Sequence, residues 1–128
     1  MSIKSHPCLF CNIEKNRIIA ENDLAYAIRD GFPVTDGHTL LIPKRHVADY
    51  FGLTKDELLS CDALIYQLRD KILKADPLVK GFNIGMNAGE AAGQTIFHCH
   101  IHLIPRRTGD VENPRGGVRH LIPGKGNY

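Results

Sequence analysis

Residues 98–104, His-Cys-His-Ile-His-Leu-Ile, alternate polar and apolar side chains without a break. That period of two belongs to a strand with one face in a core and the other turned away from it. The expected strand runs over 95–104 and ends at Pro105, since proline donates no ladder hydrogen bond. Neighbours on one face of a strand stand about 6.5–7 Å apart, so His98, His100 and His102 are expected to line one side. Cys99, Ile101 and Leu103 then point into the core. One histidine among apolar residues reads as a satisfied core residue, but three in alternation each need partners for two ring nitrogens. The trio therefore points to chemistry.

The remaining segments supply what such a strand must pack against. Residues 18–29 read as two short strands around a polar turn at 21–23, and Thr39-Leu40-Leu41-Ile42 as a third that stops at Pro43. Thr54 is a helix N-cap with Asp56 and Glu57 in the first turn. Leu58, Leu59, Ala63, Leu64, Leu68, Ile72 and Leu73 recur at helical spacing until Pro77. Residues 82–87 alternate like a strand, and the small residues of 88–93 form a tight loop. From about residue 106 glycine and proline recur, so that tail is expected to be extended or looped. With no internal repeat, the 128 residues make one α+β domain over 1–128, an antiparallel sheet with one principal helix.

Charge and cysteine content exclude several classes. Sixteen Lys and Arg against 14 Asp and Glu give a net charge of +2, too little for a protein that wraps duplex nucleic acid. No apolar run approaches the roughly 20 residues that span a bilayer, and residues 1–15 lack a signal-peptide pattern. Four cysteines in so apolar a chain do not make a disulfide scaffold, and a cytoplasmic address is expected.

Two chemistries compete for the histidines. His-x-His on a strand can present two imidazoles to a zinc ion. Alternatively, a neutral imidazole, with an ordinary pKa near 6.5, can attack a phosphoryl or acyl group while a neighbouring ring orients it or donates a proton. The flanking residues favour the second reading for His100 and His102. Asn87, Gly89, Gly93, Gln94 and Thr95 offer amides, a hydroxyl and mobile backbone just upstream, and His38 can bring a fourth imidazole. Cys8 and Cys11 have the Cys-x-x-Cys spacing of a metal pair, which needs two more ligands. A thioredoxin-type redox reading is weaker, because the pair does not sit between a strand and a helix.

Residues 98–104 resemble the histidine-triad signature of the HIT superfamily of nucleotide hydrolases and transferases. Residues 37–46 (Gly-His-Thr-Leu-Leu-Ile-Pro-Lys-Arg-His) and Gly93-Gln94-Thr95 resemble its other motifs. The tail resembles that of bacterial members described as diadenosine-tetraphosphate-hydrolase-like. The resemblance implies a homodimer with a continuous sheet, a purine nucleotide or nucleotidyl conjugate as ligand, and no organic cofactor. It implies that His100 attacks the α-phosphorus to form a nucleotidyl-histidine intermediate, with His102 polarising the site, His38 beside the phosphates and His98 completing the triad. Asn87, Gln94 and Thr95 would contact phosphate oxygens or the leaving group, and Asp30 the ribose hydroxyls. Phe10 and Ile13 would line the base pocket, although the residues alone read equally as core. His102, where transferase branches resemble His-x-His-x-Gln, favours hydrolysis. The resemblance further implies that Cys8, Cys11, His46 and His98 hold a structural zinc. Two alternatives stand beside a hydrolase: a purine-nucleotide-binding regulatory module with vestigial activity, and an enzyme using zinc at the triad. Lys44, Arg45, Arg106, Arg107, Arg115 and Arg119 could meet a polyphosphate, but such charges are usually solvated.

Overall fold

The computed structural model describes residues 8–126. Five strands, β1 (Ile18–Glu21), β2 (Ala25–Arg29), β3 (Thr39–Pro43), β4 (Val79–Gly85) and β5 (Ile101–Arg107), form one antiparallel sheet in the order β1-β2-β3-β5-β4. Helix α1 (Lys55–Ala75) crosses one face. Ala25, Ala27, Leu41, Ile101, Leu103 and Val79 meet Cys61, Leu64, Leu68 and Ile72 there. Leu59 and Leu73, expected on that face, are 56% and 41% exposed, and Cys61 takes the inner position. Among the described residues, no helix is long and apolar enough to cross a membrane.

The helix start is as its sequence implies. The Thr54 hydroxyl accepts from the Glu57 amide at 3.1 Å and Glu57 Oε1 accepts from the Thr54 amide at 2.9 Å, a complete capping box. The buried Glu57 carboxylate also takes both arms of Arg45, at 2.7 and 2.9 Å. The Arg45 guanidinium holds its carboxyl down to about 2. Thr54→Ala is expected to cost about 1 kcal/mol, read as a lower urea midpoint with an unchanged slope.

β5 differs from expectation at both ends. It starts at Ile101 and not near residue 95, because the Cys99 amide leaves the ladder to donate to Val47 O at 2.7 Å. It continues through Pro105 to Arg107 because β3 pairs with β5 only over Ile101–Leu103. Past that point no β3 partner requires an N–H, and Thr35 Oγ1 instead donates to Pro105 O at 2.8 Å.

The sheet's other face is covered by residues 8–13 and 108–126. Phe10 packs on Tyr26, Ile28, Leu40 and Ile42, with Cys8, Ile13, Ile18 and Ile96 around it. The Tyr26 hydroxyl donates to Phe10 O and pins the segment. Residues 108–126 lie over the β4–β5 half and form one wall of an open cavity of about 910 Å³ that reaches His102. This covering segment begins beyond Arg107 and contains one 3₁₀ turn, Gly117–Leu121. It closes on itself: His120 Nε2 donates to Arg115 O at 2.8 Å and Arg119 Nε to Lys125 O at 2.9 Å. Gly116, at φ 92°, leaves no room for a Cβ against Gly126 O.

Candidate functional site

Hydrogen-bond partners fix the tautomers of three histidines. His38 enters β3 with its Nδ1 accepting from the Val34 amide at 3.1 Å, so its proton sits on Nε2. That Nε2 lies 2.9 Å from His102 Nδ1, which must accept, placing the His102 proton on Nε2. His100 Nδ1 lies 2.8 Å from His98 O. A carbonyl only accepts, so Nδ1 carries the proton and the Nε2 lone pair of His100 can attack an electrophile. The His100 and His102 rings stand 5.4 Å apart between centroids, and Phe10 packs edge-on against His100 at 5.0 Å. Burial lowers the pKa of His38, opposed by Asp30. Burial also lowers that of His102, reinforced by His100 and His38. Both rings are held neutral, as the hydrogen-bond chain requires.

His98 does not share this surface. Because the regular strand begins only at Ile101, His98 turns into a separate cluster, 0% exposed. Its Nε2 donates to Pro43 O at 2.7 Å, and its Nδ1 lies 3.4 Å from Cys8 Sγ and 3.5 Å from Cys11 Sγ. His46 Nδ1 is 3.2 Å from Cys11 Sγ. A tetrahedral zinc with Zn–S about 2.3 Å and Zn–N about 2.0–2.1 Å has N···S edges of about 3.5 Å. The four ligand atoms lie within 4.8 Å of one another, so the set fits the metal. Pro43 O fixes the His98 tautomer as an outer partner of a metal ligand does. Burial first, then the neighbouring Cys8, pushes the Cys11 thiol up to about 11. A bound cation would reverse that. Four protein ligands leave no open position for a substrate, so the metal would supply structure.

Asp30, His38 and His102 also bring ligand atoms within 4.8 Å. Two nitrogen ligands on one tetrahedral metal stand about 3.3 Å apart, and the 2.9 Å between these rings is a hydrogen bond. Asp30 Oδ1 accepts from the Phe32 amide at 2.8 Å, and Oδ2 lies 3.3 Å from His38 Nε2.

The other residues singled out in the sequence divide. Asn87 borders the cavity beside His102, and Thr95 is exposed on the same loop. Gln94, expected to touch a phosphate, is buried with its amide committed. Its Oε1 accepts from the Gly89 amide at 2.8 Å, and its Nε2 donates to Ala48 O and Ile96 O. It braces the loop, because a buried amide must find partners and three backbone groups surround it. Phe10 and Ile13 lie in the apolar cluster and do not border the cavity. Arg45 is tied to Glu57, Arg106 to Asp110 and Asn83, and Arg107 to Asp76. Three further contributors, the Val34 amide and the carbonyls of Pro43 and His98, are backbone atoms with no signal in a sequence. His120, on the cavity wall, stands in no motif.

The HIT domain matches this chain over residues 12–109. An uncharacterized HIT-like protein of Mycoplasma genitalium is 42% identical over 103 residues, covering 77% of this chain and 72% of that protein. The adenosine 5'-monophosphoramidase HNT1 of Candida albicans is 34% identical over 108 residues, 78% of this chain and 70% of that one. A crystal structure of a Zn-bound histidine triad family protein from Mycobacterium smegmatis has a TM-score of 0.75 at 35% identity, covering 83% of this chain and 79% of that chain.

Proposed function

The chain belongs to the HIT domain family, and on that premise we propose that it is a nucleotide hydrolase that cleaves a nucleotidyl conjugate at the α-phosphorus. The observation that carries the reading is the His100 ring, whose Nδ1 is spent on His98 O so that the Nε2 lone pair is the one left for attack, with His102 alongside. His100 Nε2 attacks phosphorus, and the bond to the leaving group breaks with its electron pair, which is then protonated from solvent. Water adds to phosphorus, the pair returns to Nε2, a proton is released, and a nucleoside monophosphate departs. His102 Nε2–H polarises a phosphoryl oxygen, since charge that develops in the transition state is where a preset donor acts. Asn87 and Thr95 meet phosphate oxygens from the loop that Gln94 braces, and Asp30 meets the ribose hydroxyls. Phe10 and Ile13 back the base. The same reading includes a structural zinc on Cys8, Cys11, His46 and His98, one domain over the whole chain, and a homodimer joined through the outer edge of β4.

The leaving group occupies the cavity beyond His102. Val34, Ile104, Val118 and Leu121 make its walls apolar, and Arg106 and Arg107 are engaged by Asp110 and Asp76. That environment supports an uncharged amine over a polyphosphate chain. Adenosine 5'-phosphoramidates of apolar primary amines are expected to release AMP with a kcat/KM at least about tenfold above that of diadenosine tetraphosphate, the factor given by about 1.4 kcal/mol of differential stabilisation. Faster release from the polyphosphate would reverse this assignment. Tight AMP binding with no His100-dependent release from either compound would favour a regulatory nucleotide-binding module instead.

A further inference from the structure

The proton on His38 Nε2 is bonded to His102 Nδ1 at 2.9 Å, and the charged Asp30 Oδ2 stands beside it at 3.3 Å. The ring cannot escape this by inverting its tautomer, because the Val34 amide occupies Nδ1. The carboxylate is equally held, since Oδ1 takes the Phe32 amide at 2.8 Å. His38 itself is 3% exposed, so water competes little for that proton. A carboxylate beside an imidazole N–H draws the proton strongly in such a site. It therefore weakens the bond that fixes His102.

We propose that Asp30 is a positioning residue that makes the His38–His102 bond sensitive to the sugar of the bound nucleotide. In the free protein, the Asp30 charge pulls the His38 proton aside from His102. When the two ribose hydroxyls donate to the carboxylate, its charge is taken up by them and the proton passes wholly into the bond to His102. His102 is then locked with its Nε2–H turned to the reacting group. No covalent bond changes in this step, and the proton stays on His38 Nε2 throughout. The kinetic part rests on the hydrolase reading above, while the spectroscopic part needs nucleotide binding alone.

The test compares AMP with 2',3'-dideoxy-AMP, and their phosphoramidates, on wild-type protein and Asp30→Asn. Asparagine keeps Oδ1 for the Phe32 amide and turns a donor, not an acceptor, toward His38, so the turn survives while the competition ends. In imidazole ¹⁵N spectra at saturation, AMP is expected to move His102 Nδ1 further than dideoxy-AMP in wild type. In Asp30→Asn the two nucleotides should give the same position. In turnover, wild type should show a kcat about tenfold lower on the dideoxy substrate. Asp30→Asn should show equal kcat on both, with a raised KM for the ribose compound. A carboxylate that only binds ribose would lower affinity and leave the His102 nitrogen indifferent to the sugar hydroxyls. Equal ¹⁵N positions for both nucleotides in wild type would overturn the proposal. So would a kcat ratio unchanged by Asp30→Asn. If wild type turns over neither phosphoramidate, the hydrolase reading fails, and the ¹⁵N comparison still decides the role of Asp30.

Discussion

Replacing His100 with alanine is expected to lower AMP release by a factor of about 10³–10⁴ or more while AMP affinity stays within about threefold, because the change removes the attacking lone pair and few binding contacts. His102, Asn87 and Asp30 remain in place in that variant, which is why binding persists. Phe10 loses the ring it packs on at 5.0 Å, so circular dichroism and thermal unfolding of the variant must accompany the assay. Release at the wild-type rate by a folded, contaminant-free His100→Ala would sink the covalent reading. The His100 tautomer carries a finer expectation. Since His98 O sets the Nδ1 proton of His100, the nucleophile is prepared by backbone and not by another side chain, so His102→Ala should leave more activity than His100→Ala.

The second large effect concerns Cys11. The purified chain is expected to carry about one zinc per protomer, and Cys11→Ser to lose it together with about 10 °C or more of thermal stability. Structural zinc contributes several kcal/mol to domains of this size. The thiols belong to the segment that carries Phe10, and the histidines come from the end of β3 and the approach to β5. Losing the cluster therefore loosens the wall against His100, and kcat should fall although no ligand touches substrate. Cys11→Ser that keeps a full zinc equivalent, or a chelated protein that melts unchanged, would remove zinc from the account. Cys61 and Cys99 are the contrasting pair. Burial pushes those thiols up to about 12 and 11, and they serve as small apolar residues against α1 and the sheet.

How much of this was legible in the sequence follows from what each feature depends on. The capping box, the two short N-terminal strands and the alternation of Cys99, Ile101 and Leu103 into the core are local, so propensity and period sufficed. Leu59 and Leu73 illustrate the limit of period: both fit a helical stripe, but α1 presents only Cys61, Leu64, Leu68 and Ile72 squarely to the sheet. Pro105 reads as a stop because a central strand should not hold it. The rule fails where the neighbouring strand has already ended. His98 is the instructive case. Its spacing matched His100 and His102, yet its side chain is claimed by residues far away in the chain, and the backbone leaves the ladder at Val47 to allow it. Spacing cannot report a long-range partner. For the same reason Gln94 reads as available for a ligand, although Gly89, Ala48 and Ile96 claim its amide. The site's tautomers were out of reach altogether, since the atoms that set them belong to the main chain.

The Cys/His cluster has a topological consequence as well. Cys8 and His98 stand 90 residues apart, so a metal shared between them closes a loop spanning most of the chain. On the chain-entropy scale used for disulfides, a closure of that length removes about 4–5 kcal/mol of freedom from the unfolded ensemble. A thiolate–metal link there would act as a cross-link of disulfide reach that does not depend on oxidants. It would also tie metal binding to the pairing of two strands. β3 pairs with β5 close to where His46 and His98 stand together, so an ion joining Cys8 to His98 would be held most tightly once that pairing exists.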